Sequence, residues 1–188
     1  LQDGKRVDLT VIPCLNYTHR TRYKLPVAPS PNLPNMLSVY LYPSLCYFEG
    51  TTVSLGRGTD FPFQCYGHPD MKGYKFTFTP SSRFGAKTPP QLGKLCHGVD
   101  LRGLDPEQVI AAGINLDYVI DAYNNLHRQG KPFLLKEGER NFFNLLMGNT
   151  QVYDMIVAGK SAKYIKATWQ KDIEKFKAQR KPYLLYKE

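Results

Sequence analysis

The order of the secondary-structure signals along the chain limits its fold more than any other feature. Residues 7–15 and 74–79 alternate between apolar and polar side chains. Two further segments, at residues 62–66 and 95–101, have the length and apolar content of strands. From residue 105 onward, apolar residues recur at helical spacing instead. Strand signals followed by helix signals predict an α+β fold. We expect a mixed or mainly antiparallel sheet in the first half, with the helices of the second half packed against it.

Capping residues, prolines and glycines set the predicted helix boundaries. A short helix is expected over about residues 35–42, ended by Pro43. Further helices are predicted at residues 106–112, 114–128, 139–147 and 150–158. Ser161 is expected to cap the last and longest helix, whose apolar stripe should lie in the core: Ile165, Trp169, Ile173 and Phe176. The apolar tail at residues 181–186 should dock on the domain.

Length and composition predict a globular chain of one domain, or a domain with a small appendage. The chain has 188 residues, of which 42% are hydrophobic, and no apolar run approaches the roughly 20 residues that a membrane span needs. It opens on Leu1 without an initiator methionine, so we expect a piece of a longer polypeptide. The net charge of +9 favours anionic partners in general. Much of this excess falls on a lysine-rich helix near the end, so we expect no nucleic-acid partner.

The cysteines and histidines match no common metal or cofactor motif. Cys14, Cys46, Cys65 and Cys96 are widely spaced, and buried free thiols are the expected state, with a disulfide possible in an oxidising compartment. Cys65-x-x-His68 and Cys96-His97 could together supply four ligands, but zinc sites usually use tighter pairs. Phosphate-loop, nucleophile-elbow and His-Glu-x-x-His patterns are all missing from the sequence. We therefore predict no metal and no cofactor.

The segment at residues 49–60 has the composition of a binding loop. It holds four hydroxyl residues, three glycines and Arg57 between the carboxylates Glu49 and Asp60, with apolar residues on both flanks. Glycines let a backbone approach a ligand closely, and hydroxyls with a guanidinium suit a polar, anionic ligand. The alternative is a turn whose polar groups bond only to their own backbone. Glu49 and Asp60 could form a glycosidase pair with Glu49 desolvated, but we favour Glu49 pairing with Arg57 to hold the loop.

Five sequence motifs in consecutive order resemble one known family. They are Pro-Ser-Pro-Asn-Leu-Pro at 29–34, Tyr-Pro-Ser-Leu-Cys-Tyr-Phe-Glu-Gly-Thr at 42–51, Val-Ser-Leu-Gly-Arg-Gly-Thr at 53–59, Pro-Phe-Gln-x-x-Gly-His-Pro at 62–69 and Arg-Lys-Pro-Tyr-Leu-Leu-Tyr at 180–186. Gly-Lys-Ser at 159–161 and Trp169 fit the same pattern. Together they resemble the C-terminal domain of the NamZ-type exo-β-N-acetylmuramidases, long labelled a domain of unknown function. The resemblance spans essentially the whole chain.

The resemblance implies a two-domain parent protein with its active site in the cleft between the domains. Residues 1–188 would form a single C-terminal domain, and a Rossmann-like N-terminal domain outside this chain would be its partner and carry the principal catalytic carboxylate. The implied reaction releases terminal N-acetylmuramic acid from the non-reducing end of a peptidoglycan fragment, in the periplasm or after secretion. The isolated chain should therefore be inactive. Some relatives carry an acidic residue where this chain has Leu55, so a role for that charge does not transfer.

The motif positions that match place a set of binding residues on one cleft wall. The predicted substrate-binding residues are Ser30, Asn32, Glu49, Thr51, Ser54, Arg57 and Thr59, and Glu49 is also a candidate catalytic group. N-acetylmuramic acid bears a lactyl carboxylate, which a guanidinium can bind through two parallel charge-assisted hydrogen bonds. We therefore hypothesise that Arg57 recognises this carboxylate or orders the loop that does. Two alternatives remain: a non-catalytic module that binds cell-wall carbohydrate, and a basic interaction domain.

Overall fold

The α+β prediction is confirmed. The structure is a computed structural model that describes residues 8–136 and 141–186. Over these ranges it contains one three-stranded antiparallel sheet and seven α-helices. In chain order these are α1 Met36–Leu45, β1 Cys65–His68, β2 Phe76–Phe78, β3 Cys96–Asp100, α2 Pro106–Ala112, α3 Asp117–Arg128, α4 Phe142–Met147, α5 Gln151–Val157, α6 Ala162–Thr168 and α7 Gln170–Arg180. Short 3₁₀ helices follow α1 at Cys46–Gly50 and α7 at Lys181–Tyr183.

The sheet has β3 at its centre, antiparallel to β1 on one side and to β2 on the other. All three strands fall within or next to segments that the sequence predicts as strands, although β1 begins three residues later than expected. Aromatic and thiol side chains form a small buried cluster on the sheet, made of Cys65, Phe78 and Cys96 with Phe61 and Phe76 against it. Aromatic burial contributes a large share of the apolar area that holds such a sheet together.

Helix α1 starts as predicted but does not end at Pro43. The Asn35 side chain caps the helix by accepting from the Ser38 amide at 3.0 Å, and Ser38 bonds back to the Asn35 amide. Pro43 lies inside the helix, which continues to Leu45. Proline removes one amide donor from a helix. Burial of Leu41, Ser44 and Leu45 stabilises this last turn, so tertiary packing outweighs the local penalty.

The described residues before Leu25 and from Trp169 onward form one compact unit, and Leu25–Thr168 form another. In the first unit, the strand predicted at residues 7–15 is wrong over residues 8–15, which have no regular structure, while Val7 lies outside the described residues. Its large side chains are exposed, with Leu9 at 71% and Ile12 at 89%. A strand needs a neighbouring strand to pair with. The three strands of the sheet pair with one another instead.

The C-terminal helix is also interrupted. Ser161 caps α6 as predicted, since its hydroxyl accepts from the Tyr164 amide at 3.2 Å. The single long helix is wrong, because α6 ends at Thr168 and α7 starts at Gln170. Ile165 is fully buried, but Ile173 and Phe176 are 38% and 60% exposed, so the stripe does not form one core face. No residue of α7 is buried.

The apolar tail is only partly docked. Tyr186 packs edge-on against Tyr17 at a ring-centroid distance of 4.8 Å, and its hydroxyl accepts from the Cys14 amide at 2.8 Å. Tyr183 and Leu185 remain 82% and 65% exposed.

The remaining helices follow the predictions closely. Helix α3 begins three residues later than expected, α5 lies within its predicted span, and residues 139–140 of the α4 prediction lie outside the described residues.

Helix α3 is tied to β1 and the loop after it by hydrogen bonds to one carboxylate. Tyr66 and Tyr74 each donate their hydroxyl to Asp121 Oδ2 at 2.7 Å. Asn125, one turn further along α3, accepts from the Lys72 amide at 3.0 Å and donates to its carbonyl at 2.9 Å. Burial, followed by the hydrogen bond to the negatively charged Asp121, raises the pKa of both Tyr66 and Tyr74.

These tyrosines predict a loss of stability at alkaline pH. In the unfolded chain their pKa is near the ordinary value of 10.0, whereas the fold retains their protons to higher pH. Above about pH 10 the unfolded state therefore binds fewer protons than the folded state, and the free energy of unfolding falls as pH rises. Urea unfolding of wild type and of a Tyr66→Phe, Tyr74→Phe double variant, followed from about pH 8 to about pH 11, measures this. The double variant should decline less steeply, and Tyr183→Phe, at an exposed site, should behave as wild type.

The four cysteines are free, as expected, but they do not share one environment. Cys65 and Cys96 are buried, and burial raises the pKa of the Cys96 thiol to about 12. Cys14 is exposed, against the expectation of burial, because the segment around it is exposed.

In the described ranges, no cluster of histidine, cysteine and carboxylate side chains could hold a metal ion. No described helix is both long and apolar enough to cross a bilayer.

Candidate functional site

Three loops of the larger unit meet around a groove with a volume of about 310 Å³. They are the proline-rich loop after residue 30, the end of the glycine-rich segment, and the turn at residues 83–86. The groove is lined by Pro31, Asn32, Pro34, Gly58, Thr59, Asp60, Pro62, Arg83, Phe84 and Ala86. Two of the predicted binding residues, Asn32 and Thr59, therefore line the same cavity although they are far apart in sequence.

The glycine-rich segment is held by buried anchors and close backbone contacts. Val53 and Leu55 are essentially fully buried and act as its supports. Gly58 has a φ of +83°, and a Cβ at this position would lie 2.6 Å from Pro89 Cγ. Its carbonyl accepts from the Ser81 amide at 2.9 Å and from the Ser81 hydroxyl at 3.1 Å. Only glycine tolerates both the left-handed backbone and this approach, so the backbone conformation requires glycine at this position.

The predicted hydroxyl residues mostly bond to the backbone of their own segment. Thr51 donates to the Phe48 carbonyl at 2.9 Å, and Ser54 accepts from the Gly56 amide at 3.3 Å. Both residues have no exposed surface. Thr59 donates to the Gly56 carbonyl at 2.6 Å while lining the groove. Ser30 accepts from the Asn32 amide at 3.2 Å within the proline-rich loop. These hydroxyls shape the loops, and their part in substrate binding stays a prediction.

Arg57 is the residue that connects the loops. Its Nη1 lies 3.4 Å from Glu49 Oε1, which confirms the interpretation that Glu49 pairs with Arg57. Its Nη2 lies 3.5 Å from the Gly85 carbonyl, and Asn32 Nδ2 donates to the same oxygen at 2.9 Å. The Arg57 Nε is buried and bonds to no described residue. Both Nη contacts are at the long limit of hydrogen bonding, so the guanidinium, with five N–H donors, retains unused capacity.

Glu49 lies among groups that respond to its negative charge. Its side chain is 26% exposed and sits in the 3₁₀ helix after α1. Burial, followed by the charge of Glu49, raises the pKa of Tyr42 and raises the pKa of Cys46 to about 11. Asp60, the other candidate carboxylate, forms its ion pair with Arg83. Each carboxylate thus has a different arginine partner, and a catalytic role for Glu49 stays a prediction.

Sequence reasoning missed the contribution of the turn at residues 83–86. Arg83 and Asp60 both line the groove and form an ion pair, and Arg83 donates from Nε to the Ser81 hydroxyl at 3.1 Å. Phe84, at the tip of the turn, is 91% exposed beside the groove. Backbone bonds between Arg83 and Ala86 close the turn. The only sequence signal was a proline-, glycine- and serine-rich stretch, which predicts a loop but not where the loop lies.

The family model that describes the C-terminal part of exo-β-N-acetylmuramidase NamZ matches residues 40–186, most of the chain and every residue of the glycine-rich segment. The chain belongs to this family. The resemblance noted from the sequence motifs is therefore confirmed. The match includes Glu49, Arg57, Asp60, Arg83 and Phe84, whereas Ser30 and Asn32 precede it.

One curated relative and one solved structure are each similar to nearly the whole of this chain. The chain is 32% identical to the peptidoglycan β-N-acetylmuramidase NamZ of Bacillus subtilis, over 95% of this chain and 46% of that protein. It is also similar to a DUF1343 family protein from Bacteroides fragilis whose crystal structure has been solved. The two share 61% sequence identity and a TM-score of 0.88, and the match covers 95% of this chain and 49% of the other chain. The chain thus spans about half the length of these relatives.

A second DUF1343 family structure from Bacteroides fragilis has a TM-score of 0.60 over 86% of this chain and 45% of its own length. At 18% identity it shows that the fold is shared and carries no further argument about the site.

Proposed function

We propose that this chain is the C-terminal part of a peptidoglycan-processing exo-β-N-acetylmuramidase and that its groove forms one wall of the substrate cleft. The parent enzyme would release terminal N-acetylmuramic acid from the non-reducing end of peptidoglycan fragments, in the periplasm or after secretion. A preceding Rossmann-like domain of the same polypeptide would form the opposite wall and carry the principal catalytic carboxylate. The family membership and the named activity of the Bacillus subtilis relative support this proposal.

The observation that carries the proposal is the incompletely bonded guanidinium of Arg57. Arg57 does not itself line the groove, but it contacts the Gly85 carbonyl, to which the groove residue Asn32 also donates. Its side chain is 33% exposed, and its two contacts, to Glu49 and to the Gly85 carbonyl, are both long. A carboxylate ligand would supply shorter, charge-assisted bonds to the free Nη hydrogens. Because the lactyl group of N-acetylmuramic acid is a carboxylate, Arg57 would distinguish this sugar from N-acetylglucosamine, which lacks it.

The groove itself suits a sugar ring. Phe84 offers an exposed aromatic face, and the apolar face of a pyranose can pack on it. The Asp60–Arg83 pair and Asn32 offer acceptors and donors for hydroxyl and acetamido groups. Arg83 and Asp60 are 42% and 83% exposed, so a ligand can reach both without unfolding the turn.

The isolated chain is expected to be folded and catalytically inactive. Each candidate carboxylate in it is held in an ion pair, and a glycosidase needs an acid and a base or nucleophile on either side of the scissile bond. Incubation with a chromogenic N-acetylmuramic acid glycoside, beside the full-length parent protein, measures this. The parent should release the chromophore and the isolated chain should not.

The same comparison separates the proposal from its alternative, a cell-wall carbohydrate-binding module. A module would bind muramic-acid-ended fragments in both forms without release of sugar by either. Turnover by the isolated chain, with circular dichroism confirming that it is folded, would contradict the proposed division of the catalytic groups between two domains.

A further inference from the structure

Residues 8–12 have the sequence of a β-strand but the environment of an exposed coil. From position 7 the chain reads Val-Asp-Leu-Thr-Val, alternating apolar and polar, with a β-branched residue at three of five positions. In the structure, residues 8–14 have no regular secondary structure and are all exposed. Leu9 is 71% exposed, Val11 50% and Ile12 89%. Local preference and tertiary environment therefore disagree over this one segment.

Leaving this segment unpaired in water has a cost. Apolar side chains that stay exposed forgo the favourable free energy of burial. An extended segment with β-branched residues and free backbone groups is also a ready template for pairing with a sheet edge. The alternation of Leu9 and Val11 against Asp8 and Thr10 is typical of a strand with one face on a core and the other in water.

We propose that residues 8–12 add as a strand to the edge of a β-sheet in the part of the full-length protein that precedes the C-terminal family region. Leu9 and Val11 would face the core of that part, and Asp8 and Thr10 would face solvent, with Ile12 at the end of the solvent face. Backbone hydrogen bonds would hold the segment to the sheet edge. Burial of the Leu9 and Val11 side chains would fix the register of the pairing. The inference rests on the proposed function in one respect only, that such a preceding part exists.

Three observations favour this occupant. The segment lies upstream of residue 40, where the match to the C-terminal family model begins. The chain covers 46% and 49% of two relatives, so about as much polypeptide again is present in them. The other end of the segment is tied down, because the Cys14 amide donates to Tyr186 and Tyr17 packs on the same ring. A tethered, extended, apolar segment ahead of the family region is well placed to join the preceding part.

Hydrogen exchange of the full-length protein tests the proposal. Alternate amides within residues 9–12 should exchange at least about 100-fold more slowly in the full-length protein than in the 188-residue chain, because a strand added to a sheet edge pairs through every second amide. Residues 22 and 23, which are also without regular structure and exposed in this chain, are the internal reference and should change by less than about threefold. Equal exchange of residues 9–12 in the two proteins would overturn the proposal.

A pair of adjacent substitutions tests the predicted faces. Val11→Asp in the full-length protein should remove at least about tenfold of the protection, because it places a carboxylate against an apolar core. Thr10→Asp, on the solvent face, should leave protection within about threefold of wild type. Equal loss in both variants would contradict the assigned faces. Protection that appears in the 188-residue chain as its concentration rises would instead show pairing with a second copy and overturn the choice of occupant. None of these readouts depends on hydrolysis, so failure here is distinguishable from failure of the proposed function.

Discussion

Arg57→Ala in the full-length protein should lower kcat/KM for muramic-acid-ended substrate by about 10- to 100-fold. A charge-assisted hydrogen bond contributes about 1.5–3 kcal/mol, and each 1.4 kcal/mol is a factor of ten. The substitution also leaves Glu49 without the cation that lies 3.4 Å away. Steady-state hydrolysis of a muramic acid glycoside measures the effect.

Two variants separate recognition from simple loss of charge. Arg57→Lys keeps a cation beside Glu49 but removes the planar fork that binds a carboxylate through two parallel bonds, so it should recover only part of the lost activity. Lys87→Ala removes a positive charge from an exposed position directly after the turn at residues 83–86. It should leave kcat/KM unchanged. A folded Arg57→Ala protein with wild-type kcat/KM would show that Arg57 does not recognise the substrate.

Competition between two sugars identifies the group that Arg57 binds. Wild type should be inhibited more strongly by N-acetylmuramic acid than by N-acetylglucosamine, because only the former carries the lactyl carboxylate. Arg57→Ala should lose this preference while its inhibition by N-acetylglucosamine stays the same. If Arg57 only orders the loop, both sugars should weaken together, and the carboxylate assignment would be wrong.

Gly50→Ala should destabilise the chain by about 2–3 kcal/mol, as overpacking of a tight contact does. A Cβ on Gly50 would lie 2.6 Å from Phe143 Cα and would also press on the backbone of Phe142. Both atoms belong to the start of helix α4, which cannot yield as a side-chain tip would. Gly50 follows Glu49 directly and ends the 3₁₀ helix that holds it. The close approach of these two elements therefore also sets the position of Glu49.

Thermal unfolding of Gly50→Ala measures this effect, with an expected fall in Tm on the order of 5–10 °C for a chain of this size. Gly103→Ala is the matched control, because a Cβ there meets no atom within 4 Å and the residue lacks a positive φ. It should leave Tm within about 1–2 °C of wild type. If both variants were equally stable, the contact between the 3₁₀ helix and α4 would be looser than the structure indicates.

Elements with a strong local signal could be predicted from the sequence, and elements that depend on partners could not. The start of α1 near residue 35, the Ser161 cap and the three strands of the sheet are all predicted by the sequence, because periodicity and capping depend on residues a few positions apart. The sequence predicts a helix end at Pro43, but burial of the following turn overrides this local signal. The strand expected at residues 7–15 has the right pattern, but no described strand pairs with it.

By itself, the sequence determined the α+β class, the glycine-rich segment with Arg57, and the family, because each of these depends on neighbouring residues or on motifs read in order. Only the tertiary structure decided the groove. The Asp60–Arg83 pair and the Gly85 carbonyl shared by Asn32 and Arg57 join positions 23 to 53 residues apart. Contacts at that separation form only when the packing of the whole unit brings the loops together, and no local pattern specifies which loops will meet.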